Sequence, residues 1–256
     1  MGRVLTTQYS ALQRDLGKWS FNKYDELNRP IYSGEISSTA NRTSQQSTID
    51  AQTTSWETKN STGEAFLKYT KNTYPTVLTE NNIYTVNYYD DYTGAWATGK
   101  DILSGITTTN RTKANAKGML VATQTNNQSL AKQFTVYFYD NKARVIQTRQ
   151  FTTLSNKTAE TTSDIAYSFA GEILKHYIQY KIVDNGTKEF FVKNEYQYDH
   201  MGRKIACSHG IGNGNYAHVN IPLNPIATYH YDAIGRMTTK KIAPGAYPSS
   251  VAEGIT

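Results

Sequence analysis

The sequence predicts an all-β protein made of repeated antiparallel β-hairpins, with little helix. Three observations favour this fold class. The motif Tyr-Asp-x-x-x-Arg recurs along the chain, the aromatic residues before it alternate with a period of two, and 17 glycines are available for turns. A period of two is typical of β-strands, in which alternate side chains lie on one face. Because a lone hairpin is marginal in water, we expect the hairpins to stack against their neighbours.

Four copies of the motif define the repeat. In a shuffled chain of the same composition the pattern would occur on the order of 0.03 times, so a shared structural unit is the better explanation. Residues 86–94 and 167–175 keep a strand pattern and a glycine but lack the arginine, and we interpret them as degenerate repeats. The residues of the structural motif are Tyr24, Asp25, Arg29, Tyr139, Asp140, Arg144, Tyr198, Asp199, Gly202, Arg203, Tyr231, Asp232, Gly235 and Arg236.

Each unit is expected to be a strand, a turn and a returning strand. Paired tyrosines such as Tyr137 and Tyr139 point to one face of the strand, and we expect that face to be buried. The aspartate can bond backbone amides two residues on, which is typical of a turn. The arginine can then reach the aspartate across the turn or lie on a tyrosine ring. Four near-identical copies favour a structural role, because a catalytic site is normally unique.

The expected organisation has three parts. Residues 1–18 are an N-terminal extension, residues 19–242 are the β array, and residues 243–256 are a loosely ordered C-terminal tail rich in Pro, Gly and Ser. Within the array, residues 35–82 are rich in Ser, Thr, Asn and Gln and predict a polar insertion. The best helical candidates are residues 5–16 and 44–56, which are polar and weakly amphipathic.

Charge and hydropathy argue against several classes of protein. The net charge of +6 is spread along the chain rather than gathered into the basic stripe of a nucleic-acid binder. No stretch approaches the roughly 18 apolar residues that a membrane-spanning helix needs. No apolar region typical of a signal peptide follows the first residues. We therefore expect neither nucleic-acid binding nor a membrane-spanning segment.

Motifs that would carry chemistry are weak. Cys207, His209 and His218 do not have a common zinc-ligand spacing, and a single cysteine allows no internal disulfide. The glycines of residues 210–215 lack the following helix that a phosphate-binding loop needs. No G-x-S-x-G nucleophile motif occurs. We expect no enzymatic activity, no cofactor and no metal site.

The segments FNKYDELNRPIYSG, VYFYDNKARVIQTR, YQYDHMGRKI and YHYDAIGRMTT resemble the YD repeats of Rhs proteins. The connecting segments YTVNYYDDY, KGMLVATQT and SFAGEILK resemble those of Rhs-repeat proteins from Bacteroidetes-type bacteria. The resemblance runs from Trp19 to about Ile242. It implies a ribbon of hairpins that curves into a hollow shell around a C-terminal toxic domain. The aspartyl self-cleavage motif DPxGL of that family has no match here, so the resemblance implies no protease activity.

Two functions follow as hypotheses. The resemblance implies a structural segment of a bacterial surface or secreted protein, whose partners are the rest of the parent chain and an enclosed cargo. The alternative is a cell-surface carbohydrate-binding or adhesion module, because exposed aromatic rings can stack on sugars. The candidate glycan contacts are Trp19, Trp56 and Trp96.

Overall fold

The computed structural model describes residues 4–8, 10–59, 69–93, 97–103, 116–126, 132–154, 157–213 and 221–243. In these residues, thirteen antiparallel strands form one sheet in which each strand lies beside the strands that precede and follow it in sequence. The prediction of an all-β fold of stacked hairpins is confirmed. No helix in the described ranges is long and apolar enough to cross a membrane.

The strands are β1 (Thr6–Thr7), β2 (Lys18–Tyr24), β3 (Pro30–Ser37), β4 (Ile83–Tyr89), β5 (Leu120–Asn126), β6 (Lys132–Tyr139), β7 (Val145–Leu154), β8 (Lys157–Tyr167), β9 (Ile173–Val183), β10 (Thr187–Tyr198), β11 (Lys204–Asn213), β12 (Asn224–Tyr231) and β13 (Met237–Ile242). The helices are α1 (Ala11–Asp15), α2 (Arg42–Asp50) and a short 3-10 helix (Glu80–Asn82).

α1 lies within the predicted helical segment 5–16, whereas α2 overlaps the predicted segment 44–56 but begins two residues earlier and ends at Asp50. α1 begins after Ser10, whose hydroxyl accepts a hydrogen bond from the Gln13 amide at 3.1 Å. α2 begins after Asn41, whose side chain accepts from the Ser44 amide at 2.9 Å. Such caps satisfy amides that have no partner within the helix. They fix where each polar helix starts.

The chain divides into two units, and the first comprises the described residues of 1–101, 116–136 and 152–155. Its buried aromatic cluster contains Tyr32, Tyr69, Tyr88 and Phe134, with successive ring centroids 5.6, 6.2 and 5.9 Å apart. Tyr69 belongs to the predicted polar insertion, so that segment contributes to the core of this unit. Burial raises the pKa of the Tyr69 phenol well above its ordinary value.

A buried ion pair accompanies this core. Lys23 and Glu57 are both fully buried, with Nζ 2.8 Å from Oε1. The Glu57 carboxylate also accepts from the Thr73 amide at 2.9 Å and from the Thr70 hydroxyl at 2.6 Å. Burial alone would raise the pKa of Glu57, but Lys23 and these donors outweigh burial and lower it. The insertion is thereby tied to β2.

The second unit comprises the described residues of 102–115, 137–151 and 156–256. Its core includes Tyr177, Phe191 and Ile221, and the first two rings stack at 5.9 Å. In an antiparallel sheet with strands in sequence order, every second connection lies at the same end of the strands. Four tight turns therefore lie at the same end of the strands in this unit: those that join β6 to β7, β8 to β9, β10 to β11 and β12 to β13.

The prediction that the tyrosine face is the buried face is wrong for β6. There the buried side chains are Phe134, Val136 and Phe138, whereas Tyr137 and Tyr139 lie on the opposite, half-buried face. Phenylalanine and valine have no polar atom to satisfy, so they occupy the dry face at less cost than a phenol. In β2, Tyr24 is likewise half-buried, and the buried face holds Trp19, Phe21 and Lys23.

Candidate functional site

The four Tyr-Asp-x-x-x-Arg segments form the same turn. In the second copy, Asp140 Oδ1 accepts from the amides of Lys142 and Arg144, both at 2.9 Å, and Oδ2 accepts from Arg144 Nε at 2.7 Å. The Asp140 amide in turn donates to the Arg144 carbonyl at 2.9 Å. The carboxylate therefore closes a five-residue turn and fixes the arginine that follows it.

The other three copies repeat this geometry closely. The Nε–Oδ2 distance is 2.7 Å in every copy, and the arginine amide lies 2.8–2.9 Å from Oδ1. The residue before the arginine has a positive φ in each case, and glycine adopts this conformation without strain. These residues are Asn28, Ala143, Gly202 and Gly235, with φ of 64°, 62°, 75° and 90°.

The arginine of one turn also contacts the tyrosine of the next repeat. Its guanidinium lies over that ring in three pairs, at 4.3 to 4.7 Å from the centroid, which is within the range of a cation–π contact. Three of the four motifs therefore join two repeats as well as closing their own turns. The pairs are Arg29 with Tyr89, Arg144 with Tyr167, and Arg203 with Tyr231.

The tyrosine hydroxyl makes the second contact between repeats. Tyr231 donates to the carbonyl of Lys204 at 2.8 Å, and Tyr198 donates to the carbonyl of Ile173 at 2.9 Å. Tyr167 and Tyr89 donate in the same way at 3.1 Å. In all four cases the acceptor is the first residue after the preceding turn. The strand register shifts directly before each of these tyrosines, which turns the ring toward that carbonyl.

One degenerate repeat keeps the turn with different side chains. In residues 167–175, Ser168 occupies the aspartate position and Glu172 the arginine position, and Ser168 Oγ donates to the Glu172 carboxylate. The Glu172 and Gly171 amides both donate to Ser168 Oγ at 3.1 Å. Gly171 takes the positive φ, at 110°. The turn therefore survives without the arginine.

In the other degenerate repeat, residues 86–94, the returning strand β5 begins only at Leu120. The Asp90 amide donates to Met119 at 3.0 Å, in place of the bond to an arginine carbonyl, and Asp90 Oδ1 accepts from the Gly118 amide at 2.8 Å. Arg29 of the preceding repeat binds both Asp90 oxygens, at 2.9 and 2.7 Å. The Arg29 guanidinium holds the pKa of the Asp90 carboxyl at about 2.

The aspartate of the turn stays ionised and paired with its arginine, as Asp140 and Arg144 show. Burial alone would raise the pKa of Asp140, but hydrogen bonds from the Arg144 and Lys142 amides and the Arg144 guanidinium outweigh burial and lower it. A general base at neutral pH needs the opposite shift and a free approach for substrate. Both Asp140 oxygens already accept hydrogen bonds. The arrangement can hold two repeats together but is poorly suited to proton transfer.

The last copy differs in exposure. The Arg236 side chain is 77% exposed, although its Nε lies 2.7 Å from Asp232 as in the other copies. Arg144 and Arg203 are 27% and 28% exposed. No tyrosine ring covers Arg236 within the described part of the chain. Arg236 therefore serves as an internal reference for an arginine without the contact to a following repeat.

The tryptophans predicted as glycan contacts occupy different surroundings. Trp19 is 6% exposed and lies on the buried face of β2, whereas Trp56 is 42% exposed. Trp96 lies outside the described residues. Cys207 is buried in β11 beside Ala227 of β12, and His209 Nδ1 lies 2.8 Å from the Asn194 side-chain oxygen. Among the residues that can be described, no cluster of three or more metal-ligating side chains occurs.

Sequence reasoning missed two sets of residues. The buried pair of Lys23 and Glu57 joins a strand to the insertion, and neither residue belongs to a motif. Gln45 and Arg42 of α2 line a cleft beside Trp19. The sequence gives only a weak signal for the cleft. α2 has Ile49 as its one large aliphatic residue, so it lacks the apolar face with which a helix normally packs on a sheet.

The fold and these turns define an all-β protein of stacked hairpins that are clamped to one another by a recurrent Tyr-Asp-Arg set. A comparison with protein-family models and with curated proteins finds no match for the chain.

Proposed function

We propose that the chain is a structural segment of a bacterial Rhs-type surface or secreted protein, and that it forms part of a β shell enclosing a C-terminal toxin or effector cargo. The observation that carries the proposal is the repeated contact between neighbouring hairpins. An arginine fixed by its own turn stacks on the tyrosine of the next repeat in three pairs. A contact that recurs between neighbouring hairpins suits a wall that is built by addition of hairpins.

The second unit offers a surface that such a wall would need. Tyr180, Ile182, Phe190 and Ile211 are 41%, 42%, 48% and 67% exposed. Cross-strand pairing places Phe190 opposite Tyr180 and Ile211 opposite Val192, so these side chains share one face. A contiguous exposed apolar patch is typical of a surface that contacts another polypeptide. We assign this patch to contact with the cargo or with the parent chain.

In this proposal the chain is not an enzyme and takes no cofactor. The aspartates and arginines of the motif are used in pairs to close four of the turns. The mechanism is exclusion: the stacked hairpins keep proteases and partners away from the cargo. Such a wall requires stability and continuity rather than a reactive group.

Limited proteolysis of the parent chain tests the proposal. With the segment intact, the C-terminal cargo should resist cleavage under conditions that degrade the isolated cargo. Arg144→Gln combined with Arg203→Gln should shorten the lifetime of the protected cargo, because each change removes a contact between repeats. Arg236→Gln is the matched control and should have a smaller effect. Cleavage of the cargo as fast in the parent chain as in isolation would contradict the proposal.

The adhesion module is the second candidate, and the 42% exposure of Trp56 favours it. A glycan array with the purified chain separates the two functions. Selective glycan binding that is lost in Trp56→Ala would favour the adhesion module. Absence of binding would favour the purely structural role.

A further inference from the structure

A cleft of about 710 Å³ lies in the first unit, between α2 and the strands β1 and β2. Its volume is in the range of small-molecule sites. The lining residues include Arg14 and Arg42, several glutamines and threonines, and no acidic residue. The net charge of the lining is therefore positive. An anionic ligand is favoured on charge alone.

The buried part of the cleft carries polar atoms without partners. Gln45 is 2% exposed, and neither its Nε2 nor its Oε1 has a hydrogen bond. The indole Nε1 of Trp19, a residue that is 6% exposed, is likewise unbonded. An unsatisfied buried polar group costs about 1–3 kcal/mol. These three atoms are therefore a cost to the fold unless a ligand or water satisfies them.

Gln45 is the one residue of α2 that is buried. If α2 only packed against the sheet, a leucine or isoleucine would fill this position without leaving polar atoms unpaired. A glutamine here costs stability in the free protein. A ligand in the cleft that forms hydrogen bonds with the Gln45 amide would account for a glutamine at this position.

The hydrogen-bonding capacity of the unpaired atoms limits which classes of ligand fit the cleft. Gln45 presents one acceptor and two donor hydrogens, and Trp19 presents one donor. Sulfate only accepts hydrogen bonds, so it cannot satisfy Gln45 Oε1, and inorganic phosphate at neutral pH has only one or two hydroxyl donors. A sugar hydroxyl both donates and accepts. A carboxylate on the same sugar is a partner for Arg14 or Arg42.

We propose that this cleft binds an acidic saccharide, with its hydroxyls on Gln45 and the Trp19 N–H and its carboxylate on Arg42 and Arg14. The site lies outside the Tyr-Asp-Arg turns, and it goes beyond the structural role proposed above. Its failure would leave that role intact. Trp19 is 6% exposed, so its contribution to the site is the N–H of its indole rather than an open ring face.

Isothermal titration calorimetry of the whole chain with trigalacturonate tests the proposal, with maltotriose as a neutral sugar of equal length. Trigalacturonate should bind, and maltotriose should bind at least about tenfold more weakly, because a charged hydrogen bond is lost. Arg42→Gln should weaken trigalacturonate binding by a similar factor. Arg236→Gln, an exposed arginine in the other unit, should leave it unchanged.

Gln45→Leu separates a binding role from a packing role. This variant should lose trigalacturonate binding while its melting temperature in the absence of sugar stays the same or rises, because unsatisfied polar atoms have been removed. Undiminished binding by Gln45→Leu would overturn the assignment. So would equal affinity for maltotriose, full displacement of trigalacturonate by equimolar sulfate, tighter binding of triglutamate, or no binding of trigalacturonate at millimolar concentration.

Discussion

Replacing Arg144 by glutamine removes the contacts of this side chain with its own turn and with the next repeat, and the distances indicate the size of the effect. Arg144 Nε lies 2.7 Å from Asp140, Nη1 lies 3.0 Å from the Ser168 carbonyl oxygen, and the guanidinium lies 4.7 Å from the Tyr167 ring centroid. The Arg144 side chain is 27% exposed, so solvent screens its ion pair. Glutamine fills similar space but has no charge.

The three contacts contribute unequally. A screened ion pair is worth about 0.5 kcal/mol. The hydrogen bond from a charged donor to a carbonyl is worth about 1 kcal/mol after its exchange with water. The cation–π contact adds about 0.5–1 kcal/mol. Arg144→Gln should therefore lower the free energy of unfolding by about 2 kcal/mol, which moves the urea midpoint by about 1 M.

A double-mutant cycle isolates the contact with the ring. Arg144→Gln and Tyr167→Leu, alone and together, would be followed by urea unfolding with circular dichroism detection. The coupling energy should be about 0.5–1 kcal/mol. Arg236→Gln keeps the same kind of turn pair on a 77% exposed side chain and should shift the midpoint by less than half as much. A coupling energy of zero, or an equal shift for Arg236→Gln, would refute the argument that the motif joins repeats.

Three further predictions concern packing, charge and backbone strain. Gly34→Ala should lower the melting temperature strongly or prevent folding, because a Cβ there would lie 1.9 Å from the Asn82 carbonyl oxygen; a melting temperature within two degrees of wild type, roughly the shift of 1 kcal/mol or less, would contradict this. Glu57→Gln leaves the buried Lys23 ammonium without its anion and should cost about 3–5 kcal/mol in urea unfolding. The folded-state pKa of Glu57 lies below its ordinary 4.5, so the ionised carboxylate stabilises the fold above pH 4.5, and this stabilisation is lost as the pH falls through the folded-state pKa. An identical pH dependence of the unfolding free energy in wild type and Glu57→Gln would show that the pair does not act this way. Ala143→Gly should raise stability by about 0.5–1 kcal/mol, since Ala143 holds a φ of 62°, and a loss of stability would count against strain at that turn.

The turns could be predicted from the sequence because their chemistry is local. Asp199, Gly202 and Arg203 lie within five residues, and the aspartate bonds only to amides and a guanidinium of the same segment. Recurrence of that pattern then indicated stacked hairpins. Secondary structure and strand order followed from the same periodicity, and the structure confirms an all-β sheet.

The contacts between repeats could not be read in the same way. The sequence allowed Arg29 to lie on a tyrosine, but Tyr89 becomes its partner only after the chain returns from residues 38–82. The face of the tyrosines was wrongly predicted for β6, because the alternation of Tyr137 and Tyr139 does not reveal that Phe138 occupies the buried face instead. Gln45 gave no signal, since a glutamine on a polar helix is ordinarily solvated.

Thermal unfolding of four single aspartate-to-alanine variants tests whether the Tyr-Asp-Arg sets are structural clamps. A structural role predicts a lower melting temperature in all four, because each variant loses two amide partners and an ion pair. The aspartate side chains are 8%, 8%, 17% and 23% exposed, so the loss should be largest at Asp25 and Asp140 and smallest at Asp232. A variant whose melting temperature is unchanged while it alone abolishes a measurable activity of the chain would contradict the claim.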